Sequence, residues 1–428
     1  MRKVLLGSTA LVAAGVLAGT VARGAEPITL SLGGYYNAFL TMRAQSDVDN
    51  EGVGAVQSTF GNDEDIHHTD VDQEGEVWFV GTTTLDNGVK VGVNIQLEAH
   101  QAGDQIDEHY VFFEGDFGRF VIGAENSAPF LMHDTAPAVV PGHGLDSPNL
   151  FTMVAAAGNA AVTAGDPVIT FANISSDANK VTYFSPRHSS GFRFGLSYTP
   201  DTTDGGGRGG TGGTLVSDSE DTGQEHVIGL GVNIVRRFGR ADFAWSFGYE
   251  RGFVEGNGTA NGVACGGAGQ PVVCITDPDN QQGRDVLTTG FNVGLGGWIV
   301  GGAARWDDEG EERNNDQFDT ILGVTYGAGP WLFGLQGAYG RDGDGEVNTA
   351  CDTATNNTLL SANTPADGTN SGCTNDADQV VAGELGGSYA LGPGIKAAAA
   401  LHGWTGWGND GNENFSGVAF TVGTGLRF

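Results

Sequence analysis

The chain has 428 residues, and its 52 acidic and 20 basic side chains give a formal charge of −32. Because nucleic acids bind basic surfaces, this charge excludes DNA and RNA as expected partners. Glycine is roughly twice as frequent as usual, with 72 residues spread through the chain. No sustained helical periodicity of apolar residues follows the N-terminal segment, so the composition favours a protein built of strands.

The N-terminal segment, residues 1–24, has the pattern of a secretory signal peptide. Arg2 and Lys3 precede an apolar stretch from Val4 to Val21, and small residues among positions 22–25 provide a cleavage site. A transmembrane helix is disfavoured because no stop-transfer segment follows. Residues 25–428 contain no run of about 18 apolar residues, so we expect the exported chain to cross a membrane only with strands.

Segments of about ten residues with alternating polar and apolar side chains recur along the rest of the chain. In Val89–His100, for example, Val91, Val93 and Ile95 share one face, while Asn94 and Gln96 share the other. Such alternation is typical of strands with one buried face. It occurs in soluble sandwiches as well as in membrane barrels, so it does not decide between them.

The lengths of the connections decide between a soluble sandwich and a membrane barrel. Seven tight turns alternate with eight long polar connections, as in barrels with short periplasmic turns and longer extracellular loops. We therefore predict an all-β fold, a sixteen-stranded antiparallel transmembrane β-barrel of the outer membrane. The turns are 86–88, 116–118, 189–191, 238–240, 296–297, 327–330 and 392–394, and the loops are 43–73, 101–107, 126–179, 201–224, 251–284, 307–315, 342–377 and 408–413.

The chain ends on an alternating strand, Asn414–Phe428, whose last residue is aromatic. Aromatic side chains form girdles at both membrane boundaries of such barrels. We expect the following aromatic residues on the lipid-facing side: Trp78, Tyr110, Tyr198, Trp245, Tyr249, Trp298, Trp306, Trp331 and Tyr339.

The third loop, residues 126–179, is the longest connection and the best candidate to narrow the lumen. Apolar residues such as Leu131 and Val140 are interleaved with Asp134, Asp146 and Asp166. Long loops without regular structure are usually functional or disordered, and apolar anchors argue against disorder. The alternative is a loop that lies over the barrel mouth or at a subunit contact. The charged residues predicted to face the lumen from the wall are Arg43, Lys90, Glu98, Arg193 and Arg305.

The segments Asn179–Arg187 (NKVTYFSPR) and Gly191–Pro200 (GFRFGLSYTP) directly follow this loop. In this motif the chain resembles the general porins of Gram-negative outer membranes, a family with alphaproteobacterial and betaproteobacterial members. The resemblance implies a sixteen-stranded barrel, usually a homotrimer, with the third loop folded inward as a constriction. It also implies contact with outer-membrane lipid and lipopolysaccharide, and passive diffusion of small hydrophilic solutes.

Two loops depart from the pattern of the family. Cys265 and Cys274 lie in loop 251–284, and Cys351 and Cys373 lie in loop 342–377. In an oxidising compartment two local disulfides are the natural pairing, although four cysteines permit three pairings. Acidic runs in the extracellular loops suit divalent cations that bridge to lipopolysaccharide, but they lack the ligand spacing of a calcium loop.

The sequence thus predicts an outer-membrane porin with a water-filled channel and, from its acidic excess, a weak preference for cations. No catalytic motif or cofactor fingerprint is present, so we expect no enzyme and no cofactor. Two alternatives stay open: a solute-specific channel, and a plugged barrel that serves as an adhesin or structural protein. A secreted calcium-binding solenoid is disfavoured because a nine-residue repeat is absent.

Overall fold

The computed structural model describes residues 27–45, 68–99, 106–147, 168–202, 224–253, 263–264, 273–274, 283–310, 316–342, 378–407 and 415–428. Within these ranges, sixteen antiparallel strands form one closed barrel. The barrel strands are β1 Thr29–Gln45, β2 Thr69–Thr84, β3 Lys90–Glu98, β4 His109–Gly115, β5 Gly118–Ala124, β6 Asn179–Phe184, β7 Phe192–Asp201, β8 Glu225–Phe238, β9 Ala241–Phe253, β12 Asp285–Leu295, β13 Trp298–Asp307, β14 Gln317–Ala328, β15 Trp331–Asp342, β16 Asp378–Gly392, β17 Ile395–Trp407 and β18 Phe415–Arg427.

The predicted barrel is confirmed, and each of the seven predicted tight turns joins two neighbouring strands. Two further strands, β10 Val263–Ala264 and β11 Val273–Cys274, form a separate short hairpin. The leader, Asp166, Cys265, Cys351 and Cys373 lie outside the described residues, so their predicted roles remain predictions. For Cys274 only the backbone is described. No helix in the described ranges is both long and apolar enough to span a membrane.

The barrel closes between the first and last strands. Their pairing runs from Tyr35 opposite Arg427 to Gln45 opposite Gly417. Beyond it, the backbones of Gly34 and Phe428 exchange two hydrogen bonds of 3.0 Å each. The terminal aromatic residue therefore completes the ladder, and no strand edge remains open at the seam, as a membrane barrel requires.

Side chains alternate between an apolar outer face and a polar inner face. On β18, Val418 and Phe420 are exposed, whereas Ala419 and Thr421 are buried. The predicted lipid-facing position is wrong for two aromatic residues, Trp78 and Tyr110. Trp78 donates a hydrogen bond to Glu76 (2.6 Å), and Tyr110 accepts one from Asn94 (3.0 Å), all on the inner face. Each of these side chains carries one polar atom, and the hydrogen-bond partner of that atom lies on the lumen side.

Candidate functional site: the third loop against the inner wall

The third loop enters the lumen through one helical turn, α1 Ala128–Leu131. Ser127 caps this turn, because its hydroxyl accepts a hydrogen bond from the Phe130 amide (3.4 Å) and Pro129 occupies the first turn. Ala128 and Met132 pack with Phe112, Val121 and Phe184 on β4 to β6. The turn thus anchors the start of the loop on the inner face of the barrel wall.

From α1 the loop follows the wall from strand to strand. The Asp134 amide donates to Ser246 on β9 (2.8 Å), and Asn292 on β12 donates to the Thr135 carbonyl (2.9 Å). Gln336 on β15 then accepts from the Leu145 amide (3.3 Å). The predicted inward fold of this loop is confirmed, but its described part runs along the wall rather than straight across the lumen.

Glycines on the inner face of the wall make room for the loop backbone. A Cβ atom added to Gly231 would lie 2.7 Å from the Ala128 carbonyl oxygen, and one added to Gly290 would overlap the Asp134 carbonyl. On β18, a Cβ added to Gly425 would lie 2.8 Å from the Cβ of Pro141. Because real Cβ contacts stay beyond about 3 Å, a larger residue at these positions would displace the loop.

The loop root, where the loop leaves β5 and returns to β6, is fastened by Lys180. Its buried ammonium group donates to the carbonyl of Glu125 before the loop and to those of Ser176 and Ala178 after it, the last two at 2.7 Å. All three donors of the ammonium group are therefore used. Lys180 belongs to the motif that carries the family resemblance, yet nothing in the sequence pattern indicates this structural role.

Glu250 on β9 fastens the second half of the loop root. Its carboxylate is fully buried and accepts hydrogen bonds from the Ile174 amide (2.8 Å) and the Ser175 hydroxyl (3.4 Å). Lys180 lies close enough to stabilise this negative charge. A buried carboxylate is tolerated only when it is paired and hydrogen-bonded in this way.

Asp146 joins the outgoing and returning limbs of the loop, an arrangement that we call the loop clamp. Its carboxylate accepts from the hydroxyls of Thr135 and Thr170 (2.5 Å each) and from the Thr170 amide (3.0 Å). Burial raises the pKa of Asp146 to about 6, although these hydrogen bonds act in the opposite direction. Nearby, His133 Nε2 lies 3.2 Å from the Thr170 hydroxyl, and burial lowers the pKa of His133 to about 4.

Asp134 has a different environment from Asp146. Burial raises its pKa, while Arg187 and the Ser246 hydroxyl act to lower it. Its Oδ2 atom has no hydrogen-bond partner. Of the aspartates predicted to act at the constriction, Asp146 is therefore bound by the loop itself, whereas Asp134 has one buried oxygen without a partner. Their effect on ion passage stays a prediction.

The loop tip, residues 139–145, reaches β1, β2 and β17. Val140 is buried with Phe39, Ala398 and Ala400. The His143 ring packs edge-on against Phe39, with 5.3 Å between the ring centroids, and its Nε2 lies 3.6 Å from Asp72 Oδ2. That distance exceeds a hydrogen bond.

A second buried pair lies behind the tip. His402 Nδ1 on β17 is 3.7 Å from Glu384 Oε2 on β16, and the His402 ring centroid is 5.4 Å from that of His143. Neither nitrogen of His402 and neither carboxyl oxygen of Glu384 has a hydrogen-bond partner, and the same is true of His143 Nε2. Nothing in the sequence pattern indicated this cluster, because its members come from three distant segments.

The charged wall residues predicted from strand alternation occupy separate environments. Arg43 pairs with Asp70 (3.4 Å), and Arg305 is buried against Asp307 and Asp319. Both arginines are thus neutralised by neighbouring carboxylates. The structure does not bring them together as one basic ladder.

Lys90 and Arg193 lie at the periplasmic ends of β3 and β7. The Lys90 ammonium group is 5.8 Å from the Phe112 ring centroid, and the Arg193 guanidinium is 4.9 Å from that of Phe184. Arg119, for which the sequence pattern indicates no role, also lies over the Phe112 ring, 4.4 Å from its centroid. These cations therefore form a basic and aromatic group below the loop.

Two carboxylates that sequence reasoning missed border the loop tip. The Tyr35 hydroxyl lies 2.5 Å from Glu74 Oε1 and 2.7 Å from Glu76 Oε1, so the two carboxylates share its proton. Asn37 donates to Glu74 (3.1 Å) and Trp78 to Glu76 (2.6 Å). Glu98, which was predicted, lies opposite Glu76 in the ladder of β2 and β3.

The acidic wall continues into the segment before β4. Burial and the neighbouring charges of Asp107, Glu125 and Glu76 raise the pKa of Glu108 to about 10. The pKa of Asp107 rises to about 6 for the same reasons, burial first and then the charges of Asp177 and Glu76. In the described part of the chain, no group of three or more His, Cys, Asp or Glu residues is arranged to hold a metal ion.

Comparisons with known proteins agree with this architecture. A family model described as Gram-negative porin matches residues 7–403. A loop-deletion form of OmpT, an outer membrane protein of Vibrio cholerae, superposes with a TM-score of 0.51 at 12% identity, covering 94% of this chain and 99% of that chain. The anion-selective porin from Comamonas acidovorans gives a TM-score of 0.51 at 15% identity, covering 94% and 100%. No curated protein matches the chain.

Proposed function

Because this chain belongs to the Gram-negative porin family, its barrel is a passive outer-membrane channel, and we propose that this channel prefers cations weakly. A barrel of sixteen strands is too wide for wall side chains to fill, so water and small hydrophilic solutes can pass. Porins are channels rather than enzymes. Selectivity must come from the charges that face the narrowed part of the lumen.

The carboxylates of Glu74 and Glu76 carry the proposed preference. Both face the lumen next to the loop tip, and Tyr35, Asn37 and Trp78 hold them in place with hydrogen bonds. Fixed negative charge on a low-dielectric wall raises the local concentration of cations. The basic group of Lys90, Arg119 and Arg193 at the periplasmic end opposes this effect, so the expected preference is weak.

Reversal potentials across a planar bilayer test this proposal. We expect the purified protein to pass potassium more readily than chloride at neutral pH. Neutralising both carboxylates (Glu74→Gln with Glu76→Gln) should lower the potassium-to-chloride permeability ratio by roughly twofold, since glutamine keeps the shape but loses the charge. Asp86→Asn in the periplasmic turn after β2 is the matched control and should change nothing. A clear anion preference of the unaltered protein would refute the proposal.

We further propose that three copies assemble side by side in the membrane. On the outer face of β16 and β17, the small residues Gly383, Ala399 and Gly403 surround the exposed side chains of Leu385 and Leu401, and a neighbouring barrel could cover this apolar surface. On β1 and β2 the Tyr36 hydroxyl donates to Gln73 (2.6 Å), a polar pair that suits a protein contact better than lipid. Chemical cross-linking in detergent should give a trimer, and Gln73→Leu should weaken it. A protein that remains a monomer after cross-linking would contradict this assembly.

A further inference from the structure

We propose that the channel rectifies and passes more current when the extracellular side is positive, because its lumen carries negative charge in the middle and positive charge at the periplasmic end. Such a channel favours cations that move towards the periplasm and anions that move outwards. The inference rests on the proposed function, since the carboxylates of Glu74 and Glu76 supply the negative zone. The positive zone is what it adds.

The positive zone consists of six basic side chains on the inner side of the wall, which we call the basic mouth. Each lies within two residues of a tight turn or of the chain end. Six of the chain's 20 Lys and Arg residues therefore lie at the periplasmic end, although the chain as a whole carries a charge of −32. The members of the basic mouth are Lys90, Arg119, Arg187, Arg193, Lys396 and Arg427.

Contacts and strand alternation show that these side chains belong to the inner face. Lys90, Arg119 and Arg193 lie near rings that pack under the third loop, as described above. Lys396 has the same position in the alternation of β17 as Ala398 and Ala400, which are buried with Val140 of the loop tip. The Arg427 guanidinium is 5.7 Å from the centroid of the inward-facing Trp78 ring.

Carboxylates at the periplasmic end are too few to cancel this charge. Among the described inner-face residues near the tight turns, the acidic ones are Glu114 and Asp242. Asp242 pairs with Arg237 (3.5 Å), which is not a member of the basic mouth. Asp86 and Asp116 lie in the turns themselves. Basic side chains remain in excess even when these two aspartates are included, so the basic mouth has a net positive charge.

The lumen has the opposite sign further from the periplasm. Glu74 and Glu76 lie in the middle of β2 and face the lumen. The inner-face arginines nearer the extracellular end, Arg43 and Arg305, are paired with aspartates and so do not offset these carboxylates. Along the barrel axis a negative zone is therefore followed by a positive one.

The two zones are far enough apart to act separately. Lys90 lies opposite Thr84 at the periplasmic end of β2. At about 3.3 Å per residue and a strand tilt of about 40°, the stretch from Glu76 to Thr84 spans roughly 20 Å along the barrel axis. The Debye length is about 10 Å at 0.1 M salt. Trp78 marks the border, since it donates a hydrogen bond to Glu76 and carries Arg427 over its ring.

The direction of rectification follows from the order of the zones. Cations are enriched in the negative zone and anions in the positive zone. A positive potential on the extracellular side drives both kinds of ion towards the border, so their concentrations and the conductance rise there. The opposite potential draws both kinds away and depletes the border. A lumen with charge of one sign has no such border and does not rectify in this way.

Single-channel currents at equal voltages of opposite sign test the proposal. They are measured immediately after each voltage step, so that slow closures do not contribute. In about 0.1 M potassium chloride we expect the current to be about 1.5-fold larger with the extracellular side positive. In about 1 M salt the Debye length falls to about 3 Å, and the two currents should be nearly equal. This comparison requires no change to the lumen.

The orientation of each channel is read from a label on a periplasmic turn. Ser189→Cys introduces a thiol into the exposed turn between β6 and β7, and this thiol is coupled to biotin before the protein is inserted. Streptavidin should lower the current only when it is added to the chamber that the turn faces. The sign of rectification can then be assigned to the two sides of the barrel.

Two pairs of substitutions separate the zones. Lys90→Gln with Lys396→Gln removes two exposed charges of the basic mouth. This variant should lose at least half of the rectification, while its potassium-to-chloride permeability ratio rises. Glu74→Gln with Glu76→Gln should lower both the rectification and the permeability ratio. The two readouts thus change in opposite directions in one variant and in the same direction in the other.

Arg236→Gln is the matched control. Arg236 lies at the same end of the barrel but alternates with the inner-face residues of β8, and its guanidinium is 5.4 Å from the centroid of the exposed Phe238 ring. Because this charge is on the lipid side, its removal should change neither the rectification nor the permeability ratio.

The outcomes distinguish rectification from the proposed function. Equal currents in both directions at low salt, larger currents with the periplasmic side positive, or full rectification without the Lys90 and Lys396 charges would overturn the two-zone lumen. A preference for potassium that persists in any of these cases leaves the proposed function intact. A clear anion preference in a channel that still rectifies as expected would contradict the proposed function alone.

Discussion

The root and the tip of the third loop are both buried in the lumen, but they differ in how their polar groups are satisfied. At the root, Lys180 uses all three of its donors, and Glu250 accepts two hydrogen bonds. Behind the tip, the side chains of His402 on β17 and Glu384 on β16 have no hydrogen-bond partner. Burial alone therefore does not indicate rigidity. A complete buried network fixes a segment, whereas an incomplete one costs stability.

The largest expected effect comes from breaking the root. Lys180→Met would leave three carbonyls without their donor and the Glu250 charge without its cation. Breaking such a buried pair costs about 3–5 kcal/mol. We expect the loop to leave the wall, so that a protease added to the purified protein cuts within residues 126–179.

Lys396→Met is the control for this variant, because it removes an exposed lysine at the periplasmic end of β17. It should leave the loop protected from the protease. If Lys180→Met is equally resistant, the root is held by its apolar contacts, and its contrast with the tip disappears.

The next largest effect concerns the wall beneath the loop. Gly290→Ala would place a methyl group onto the Asp134 carbonyl, whereas Gly337→Ala on the outer face meets nothing within 4 Å. Overpacking of this kind costs about 1–3 kcal/mol. We expect Gly290→Ala to lower the denaturation temperature of the barrel and to change its conductance, while Gly337→Ala does neither. Equal effects would show that the loop adapts to the wall.

The fold was predictable because every strand of a barrel shows the same alternation of apolar and polar side chains. Strand alternation and the alternation of short and long connections identify the sixteen strands, and Phe428 ends the last of them. Trp78 and Tyr110 were placed on the wrong face because an aromatic ring alone does not reveal its side. In both cases a polar neighbour on the inner face, Glu76 or Asn94, decides the orientation.

The site was much less predictable, because its contacts join residues that are far apart in sequence. His143 meets Asp72 and His402, and Gln336 meets Leu145. The course of the loop along the wall could in principle have been anticipated from the inward glycines of β8 to β18. The excess of glycine is evident in the sequence, but the inward positions of these glycines are not.

A smaller effect distinguishes the two aspartates of the loop. Asp146 is occupied by Thr135 and Thr170, so its charge acts mainly within the loop clamp, whereas Asp134 has an unpartnered oxygen. Asp134→Asn should therefore change the potassium-to-chloride permeability ratio more than Asp146→Asn does. Conversely, Asp146→Asn should weaken the loop by about 1–2 kcal/mol, since it alters an acceptor of three hydrogen bonds. The reverse order in reversal potentials would show that Asp146 faces the ion path.

The smallest expected effect is the pH dependence of the loop clamp, because the contributions of His133 and Asp146 have opposite signs and nearly cancel. Burial lowers the pKa of His133 from 6.5 to about 4, so docking of the clamp weakens as the pH falls from 6.5 towards 4. Burial raises the pKa of Asp146 from 3.8 to about 6, so docking strengthens as the pH falls from 6 towards 3.8. At 1.36 kcal/mol per pKa unit, each contribution amounts to about 2–3 kcal/mol near pH 4.5, with opposite signs.

Amide exchange of residues 127–147, corrected for the intrinsic rate at each pH, measures this balance. In the unaltered protein the protection around His133 should be nearly the same at neutral pH and near pH 4.5. His133→Gln should make the clamp more protected in acid, because only the Asp146 contribution remains. Asp146→Asn should make it less protected. An equal loss of protection in acid in the unaltered protein and in both variants would show that neither group controls the clamp.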